Sequence, residues 1–176
     1  REIRGGREVY RILRYVGRGG FGEVFKARAV RSSRIVAVKH LLNEAGIERF
    51  RREAATMRRV SDSGFPRFVD FFMSEDGGAF LVMDYLDGMP GQSLKDVLRR
   101  RGDGGLVRET VLTAFVRYAH ALAGLHALGL VHRDVKPANL YFPLASPDRA
   151  VVMDLGIARD LSGTATVGQV PGTVDY

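Results

Sequence analysis

The apolar positions change their period about halfway along the chain. Residues 9–16 (Val-Tyr-Arg-Ile-Leu-Arg-Tyr-Val) carry the β-branched and aromatic content of a strand and run into a glycine-rich turn at 17–22. Residues 23–29 read as its antiparallel return and 35–40 as a third strand. After a connector at 41–46 the spacing turns helical, with Phe50, Ala54 and Met57 sharing one face of a helix over 48–60. A hairpin follows, with strands at 68–74 and 79–85 joined by Glu75-Asp76-Gly77-Gly78.

Beyond this point helices take over. Ser93 followed by Asp96 predicts an N-terminal cap, with a helix running to Arg101 and stopped by Gly102. A long helix is expected over 109–128, with Leu112, Phe115, Ala119, Leu122 and Leu125 as its apolar face. The pattern then breaks into short pieces around His132, Tyr141 and Val151, which suits loops and two-residue strands. Strands first and helices second give an α+β class rather than a doubly wound sheet.

Composition narrows the function classes. With 176 residues the chain is long enough to bury a core, and an apolar fraction of 45% argues against disorder. No run approaches eighteen apolar residues, so no membrane span is expected within the segment. It opens on Arg1 and shows no signal-peptide pattern. The absence of cysteine excludes disulfides and thiolate sites, and fits a reducing, cytoplasmic setting. A net charge of +7 raises the question of nucleic acid, but the arginines are scattered or in short clusters such as Arg49-Arg51-Arg52, as on solvated helix faces. No nucleic-acid partner is expected. Of 27 basic residues only Lys26, Lys39, Lys95 and Lys136 are lysines, which makes their positions informative.

Four motifs carry chemistry. The first is Gly17-Arg18-Gly19-Gly20-Phe21-Gly22-Glu23-Val24. Alone it is weak, since any tight turn favours glycine. A dinucleotide fingerprint needs a helix next, whereas Val24-Phe25-Lys26-Ala27 has strand character, so the loop suits a hairpin lid over phosphates. The second is Val36-Ala37-Val38-Lys39, whose terminal ammonium is expensive to bury unpaired. Glu53, beside the apolar face of the following helix, is placed to turn inward and pair with it. The third, His132-Arg133-Asp134-Val135-Lys136-Pro137-Ala138-Asn139, specifies five polar positions in eight residues. The fourth, Asp154-Leu155-Gly156, is an ordinary turn by itself, but it lies fifteen residues after Asn139 and offers a second oxygen ligand for Mg²⁺.

In this order the four motifs resemble a protein kinase over essentially the whole chain. The Val-Lys-Pro-Ala-Asn run and the Met-Asp-Leu-Gly-Ile-Ala-Arg phrase are most similar to bacterial eukaryotic-like Ser/Thr kinases. The resemblance implies a bilobal fold, with residues 1–85 as an N-lobe of antiparallel sheet plus one helix and 86–176 as an incomplete helical C-lobe. It implies transfer of the γ-phosphoryl group of Mg·ATP to protein Ser/Thr hydroxyls, with protein substrates and a kinase-domain homodimer as partners. Asp134 would accept the substrate hydroxyl proton and Lys136 would neutralise charge on the transferred group. Asn139 and Asp154 would hold the metal. Gly17, Gly19, Gly20 and Gly22 would cover the phosphates, and Lys39, paired with Glu53, would hold them. Val24 and Ala37 would roof the adenine, Met83 would be the gatekeeper, and the backbone of Asp84 and Leu86 would meet the adenine edge. Phe71, Met57, Leu155 and His132 match the family's stacked spine. Thr164 and Thr166 would be activation-segment phosphosites, gripped by Arg133. The chain is expected to stop before an Ala-Pro-Glu-like motif and to be inactive alone.

Three departures from the family pattern stand out. Leu155 replaces the usual Phe, and Tyr141 stands where a smaller aliphatic usually lies under the adenine. Only thirteen residues separate Lys39 from Glu53, so the connector is short. The alternative reading is a nucleotide-binding pseudokinase or scaffold module, which predicts loss of Lys39, Asp134, Asn139 or Asp154; all four are present.

Overall fold

The computed structural model describes residues 1–6, 8–19, 22–42, 46–60, 64–87, 93–101, 106–143, 146–155 and 159–160. The chain divides into two compact units, Arg1–Arg59 with Pro66–Pro90 and Val60–Phe65 with Gly91–Tyr176. Among the described residues no helix is long and apolar enough to cross a membrane.

The first unit is a six-stranded antiparallel sheet carrying one helix. Its strands are β1 (Glu2–Arg4), β2 (Val9–Gly19), β3 (Gly22–Ala29), β4 (Ile35–Leu41), β5 (Phe68–Met73) and β6 (Ala79–Asp84), in the order β1-β2-β3-β4-β6-β5. β1 was not expected from the sequence. Only Ile3 of its three residues is buried, and the strand exists because its backbone pairs with Val9, Tyr10 and Arg11. β2 continues through Gly17 to Gly19, which pairs with Gly22, so the ladder reaches into the predicted turn.

One face of the sheet buries Ile3, Tyr10, Ala27, Ala29, Val36, Val38, Phe72, Phe80 and Val82. Tyr10, Phe72, Phe80 and His40 stack in sequence with ring centroids 4.5–5.9 Å apart. Gly5, between β1 and β2, has no room for a side chain: a Cβ there would lie 2.9 Å from Asp70, Phe72 and Tyr10. The first hairpin thus curls onto β5. Helix α1 (Ile47–Arg59) packs on β5 and β6 and buries Phe50, Glu53, Ala54, Thr56 and Met57, the face its spacing predicts.

The second unit is helical with short strands. Helix α2 (Leu94–Arg101) begins at the predicted cap, where Ser93 Oγ accepts the Asp96 N–H at 3.1 Å. Helix α3 (Arg108–Ala127) ends at Gly129, whose φ of 72° lets its N–H close on the His126 carbonyl. Its buried line is not the predicted one. Ala114, Tyr118, Ala121 and Leu125 face inward, while Leu112 and Phe115 are 53% and 47% exposed. Of the predicted face Leu125 is buried, Leu122 is half-buried and Ala119 is exposed. Both lines have helical spacing, because α3 is apolar nearly all round, and periodicity cannot choose between them. Two-residue strands follow: β7 (Leu130–Val131) pairs with β10 (Arg159–Asp160), and β8 (Leu140–Tyr141) with β9 (Val151–Val152).

Candidate active site

Each unit holds one group of the predicted residues. In the first, the β3–β4 ladder places Val24 opposite Lys39, and the β4–β6 ladder places Ala37 opposite Met83. Lys39 Nζ donates to both carboxylate oxygens of Glu53, at 2.7 and 2.8 Å. The side chains are only 14% and 5% exposed, so the pairing expected from sequence is a nearly dry, bidentate one. The Phe50 ring, 5.7 Å from Nζ, adds a π-face to the same ammonium. Removing one partner of such a pair leaves a buried charge and costs about 3–5 kcal/mol. A protein stabilised only by packing has little reason to keep it.

The glycines differ in what they need. A Cβ on Gly22 would stand 2.2 Å from the His40 carbonyl oxygen, so glycine there serves the close approach of β3 to β4. A Cβ on Gly17 would meet nothing within 4 Å, so local packing does not require glycine there. Gly20 lies outside the described residues, as do Gly156, Thr164 and Thr166. Met83 and Asp84 end β6; the Asp84 N–H donates to the Arg67 carbonyl at 3.0 Å, and Leu86 follows half-buried.

In the second unit the loop after β7 converges on Asp134. Lys136 Nζ lies 3.0 Å from Asp134 Oδ2, and Asn139 Nδ2 donates both to that oxygen and to the Asp134 carbonyl, each at 2.9 Å. The loop bends through Arg133 at a φ of 66°, a strained conformation for a long side chain. A single 3₁₀ turn, Pro137–Asn139, seats the buried Asn139.

His132 braces this loop. It is 1% exposed; its Nδ1 accepts the Asp134 N–H at 3.2 Å, which leaves Nε2 to donate to the Met153 carbonyl at 3.0 Å. Burial holds its pKa below the ordinary imidazole value, against opposing pulls from the Met153 carbonyl and the carboxylates of Asp154 and Asp134. The ring is therefore a neutral strut, hydrogen-bonded at both nitrogens. The Met153 N–H in turn donates to the Asn139 carbonyl at 2.8 Å. The next residue, Asp154, is exposed and adopts a φ of 63°, a conformation Asp tolerates better than most residues.

The donor set fits a hard cation. With Asn139 Nδ2 committed to Asp134, its Oδ1 is the atom left to face a metal, and Asp154 adds a carboxylate. Among the described residues no group of three or more acidic or His side chains forms a metal cluster of its own.

Tyr141, the predicted adenine floor, is buried, and its carbonyl accepts the Tyr118 hydroxyl at 2.7 Å. That anchor was not foreseen. Its signal was present in the sequence: Tyr118 stands four residues after Ala114 and seven before Leu125, on the line that α3 buries.

Comparison with known proteins agrees with the geometry. The family model described as "Protein kinase domain" matches residues 10–176. Over 95% of its length the chain is 37% identical to the serine/threonine-protein kinase pkn2 of Myxococcus xanthus and 38% identical to PknA of Mycobacterium tuberculosis. PknD of M. tuberculosis is 35% identical over the same share. The chain spans only 21%, 40% and 25% of these relatives' own lengths. The predicted motifs, the buried Lys39–Glu53 pair, the Asp134 cluster and the family match all point one way: this chain belongs to the protein kinase family.

Proposed function

We propose that this chain carries the catalytic residues of a Ser/Thr protein kinase that transfers the γ-phosphoryl group of ATP to protein hydroxyls. The observation that carries the reading is the convergence of Lys136 and Asn139 on one carboxylate oxygen of Asp134, beside a chain path that leads directly to Asp154. An aspartate held this way is fixed in place to receive a proton. In the proposed reaction the substrate hydroxyl oxygen attacks the γ-phosphorus, the bond to the β-phosphate bridging oxygen breaks, ADP leaves and Asp134 takes the hydroxyl proton. Lys136 offsets charge on the phosphoryl oxygens. Mg²⁺, held by Asn139 and Asp154, would supply charge neutralisation between the phosphates.

The other roles follow the same reading. Lys39, oriented by Glu53, holds the α/β-phosphates under Gly17, Gly19, Gly20 and Gly22. Val24, Ala37, Met83 and Tyr141 contact the adenine, and the backbone of Asp84 and Leu86 meets its edge. One or both of Thr164 and Thr166 are autophosphorylation sites. The use of ATP and the cysteine-free chain suit a cytoplasmic location. A homodimer of kinase domains remains part of the proposal, and so does inactivity of the 176 residues alone.

The test uses the full-length protein that contains this chain. Lys39→Met and Asp134→Asn should each lower phosphorylation of a generic protein substrate about a hundredfold or more, since the reaction depends on positioning and charge stabilisation. Mass spectrometry of the same reactions should find phosphate on Thr164 or Thr166 in the wild type only. Near-normal turnover by either variant overturns the assignment. ATP binding without transfer by the wild type would instead identify a pseudokinase.

A further inference from the structure

We propose that Arg14 and Lys26 are positioning residues for nucleotide binding, which act by fastening Tyr85, and with it the segment from Asp84 to Asp87, to the outer face of the sheet. The inference rests on the reading above that the backbone of Asp84 and Leu86 meets adenine.

The starting point is an unfavourable pairing. On β2 and β3 the ladder sets Arg11 opposite Arg28 and Arg14 opposite Lys26. Like charges directly across a ladder repel, and a sheet gains nothing from them by itself. Alternation explains only why these residues face outward, since Ala27 and Ala29 between and beyond them are buried. The first pair is relieved by Glu2, whose carboxylate lies 2.9 Å from Arg11, and the second by an aromatic ring. Arg14 Nη2 donates to the Tyr85 hydroxyl at 2.7 Å, and Lys26 Nζ lies 4.3 Å from the centroid of the same ring. Lys26 also lies 3.8 Å from the Asp87 carboxylate. Two cations that repel each other thus share one aromatic ring, one at its polar tip and one over its π-face, where attraction to the ring is electrostatic.

The same segment is held at its start by other groups. The Asp84 carboxylate pairs with Arg34 at the foot of β4, with Arg67 3.7 Å away on the approach to β5. Tyr85 and Asp87 are tied by side chains to β2 and β3, and Asp84 to the residues that lead into β4 and β5. Tyr85 has no assigned contact with nucleotide, and its side chain is taken up by the two cations. Holding a recognition segment in its bound shape raises affinity without adding a contact to the ligand, because less freedom is lost on binding. Such residues affect how tightly ATP is held and not how fast phosphate moves once it is bound.

The experiment compares full-length wild-type protein with the double variant Arg14→Met/Lys26→Met, with Lys26→Arg and with Tyr85→Leu. The readouts are KM for ATP, kcat at saturating ATP, affinity for a fluorescent ATP analogue, and melting temperature. The double variant should raise KM and weaken analogue binding about three- to tenfold at low salt, the span expected for lost cation–π contacts. Its kcat should stay within about twofold, and high salt should narrow the gap. Lys26→Arg, which keeps a cation over the ring, should restore most of the affinity. If the double variant melts early, Tyr85→Leu carries the test with the same expected split. Unchanged KM in folded variants, a fall in kcat with KM unmoved, or failure of Lys26→Arg to rescue overturns the proposal. A wild-type protein that binds no ATP defeats the kinase reading and this one together, and shows itself before any variant is measured.

Discussion

Gly17 and Gly22 stand at opposite ends of one motif and are glycines for different reasons. At Gly22 the obstacle is a backbone carbonyl, that of His40, which cannot swing aside. Gly22→Ala should therefore destabilise the protein by about 1–3 kcal/mol through overpacking. At Gly17 there is open space, so Gly17→Ala should leave stability within about 0.5 kcal/mol; in the proposed reading, where this glycine covers phosphate, the added methyl should raise KM for ATP. Thermal melts and ATP titrations of the two variants separate the outcomes. A Gly17→Ala protein with unchanged KM would remove this glycine from the nucleotide site. The motif was legible only in company with the three that follow it, since a glycine-rich turn alone is weak. The reason for Gly22 was not, since it depends on how closely β3 and β4 approach. The ties of Arg14 and Lys26 to Tyr85 were equally hidden, because they join residues some sixty to seventy positions apart.

At the level of elements, the strands and helices that bury one clear face were readable. The face of α1 with Phe50, Ala54 and Met57 is buried as its spacing predicts, and the Ser93 cap starts α2 where expected. Helix α3 was not readable in the same way, since an apolar stripe can be drawn on more than one side of it. Its inner line is set by small residues, Ala114 and Ala121, which allow close approach, and by Tyr118, whose hydroxyl reaches the Tyr141 carbonyl. β1 escaped notice for the opposite reason: it has one apolar residue, and backbone pairing alone recruits it. The two sides of α3 can be told apart by substitution. Tyr118→Phe keeps the ring and removes the hydroxyl that donates to the Tyr141 carbonyl, which should cost about 0.5–1.5 kcal/mol. Leu112→Ser, on the exposed side, should change stability by no more than about 0.5 kcal/mol. Denaturant unfolding of both variants checks this, and a larger loss for Leu112→Ser would reverse the assignment of faces.

For the whole molecule, both units bury titratable groups in their neutral forms, and stability should depend on pH at both ends of the range. Tyr10, in the first unit, has its pKa raised by burial first, then by the charge of the Asp70 carboxylate and the hydrogen bond it donates there. Tyr118, in the second, is raised by burial. In the unfolded chain both phenols titrate near pH 10. Below that pH they are protonated in either state and their contribution is complete. Above it the unfolded state releases protons that the folded state retains, so stability falls as pH rises. His132 acts in the other direction. Its folded pKa is held below the unfolded value of about 6.5, so acidification below that point protonates the unfolded state first and drains stability. Melting temperature should therefore be highest between about pH 6.5 and 10, with an alkaline limb that belongs to both units. Tyr10→Phe should lower stability at neutral pH through loss of the bond to Asp70, and it should flatten the limb above pH 10, as the phenol that drives it is gone. Melting curves from pH 5 to 11 for wild type, Tyr10→Phe and the double variant with Tyr118→Phe test the origin of the limb. An alkaline limb as steep in the double variant as in the wild type would assign it to other groups.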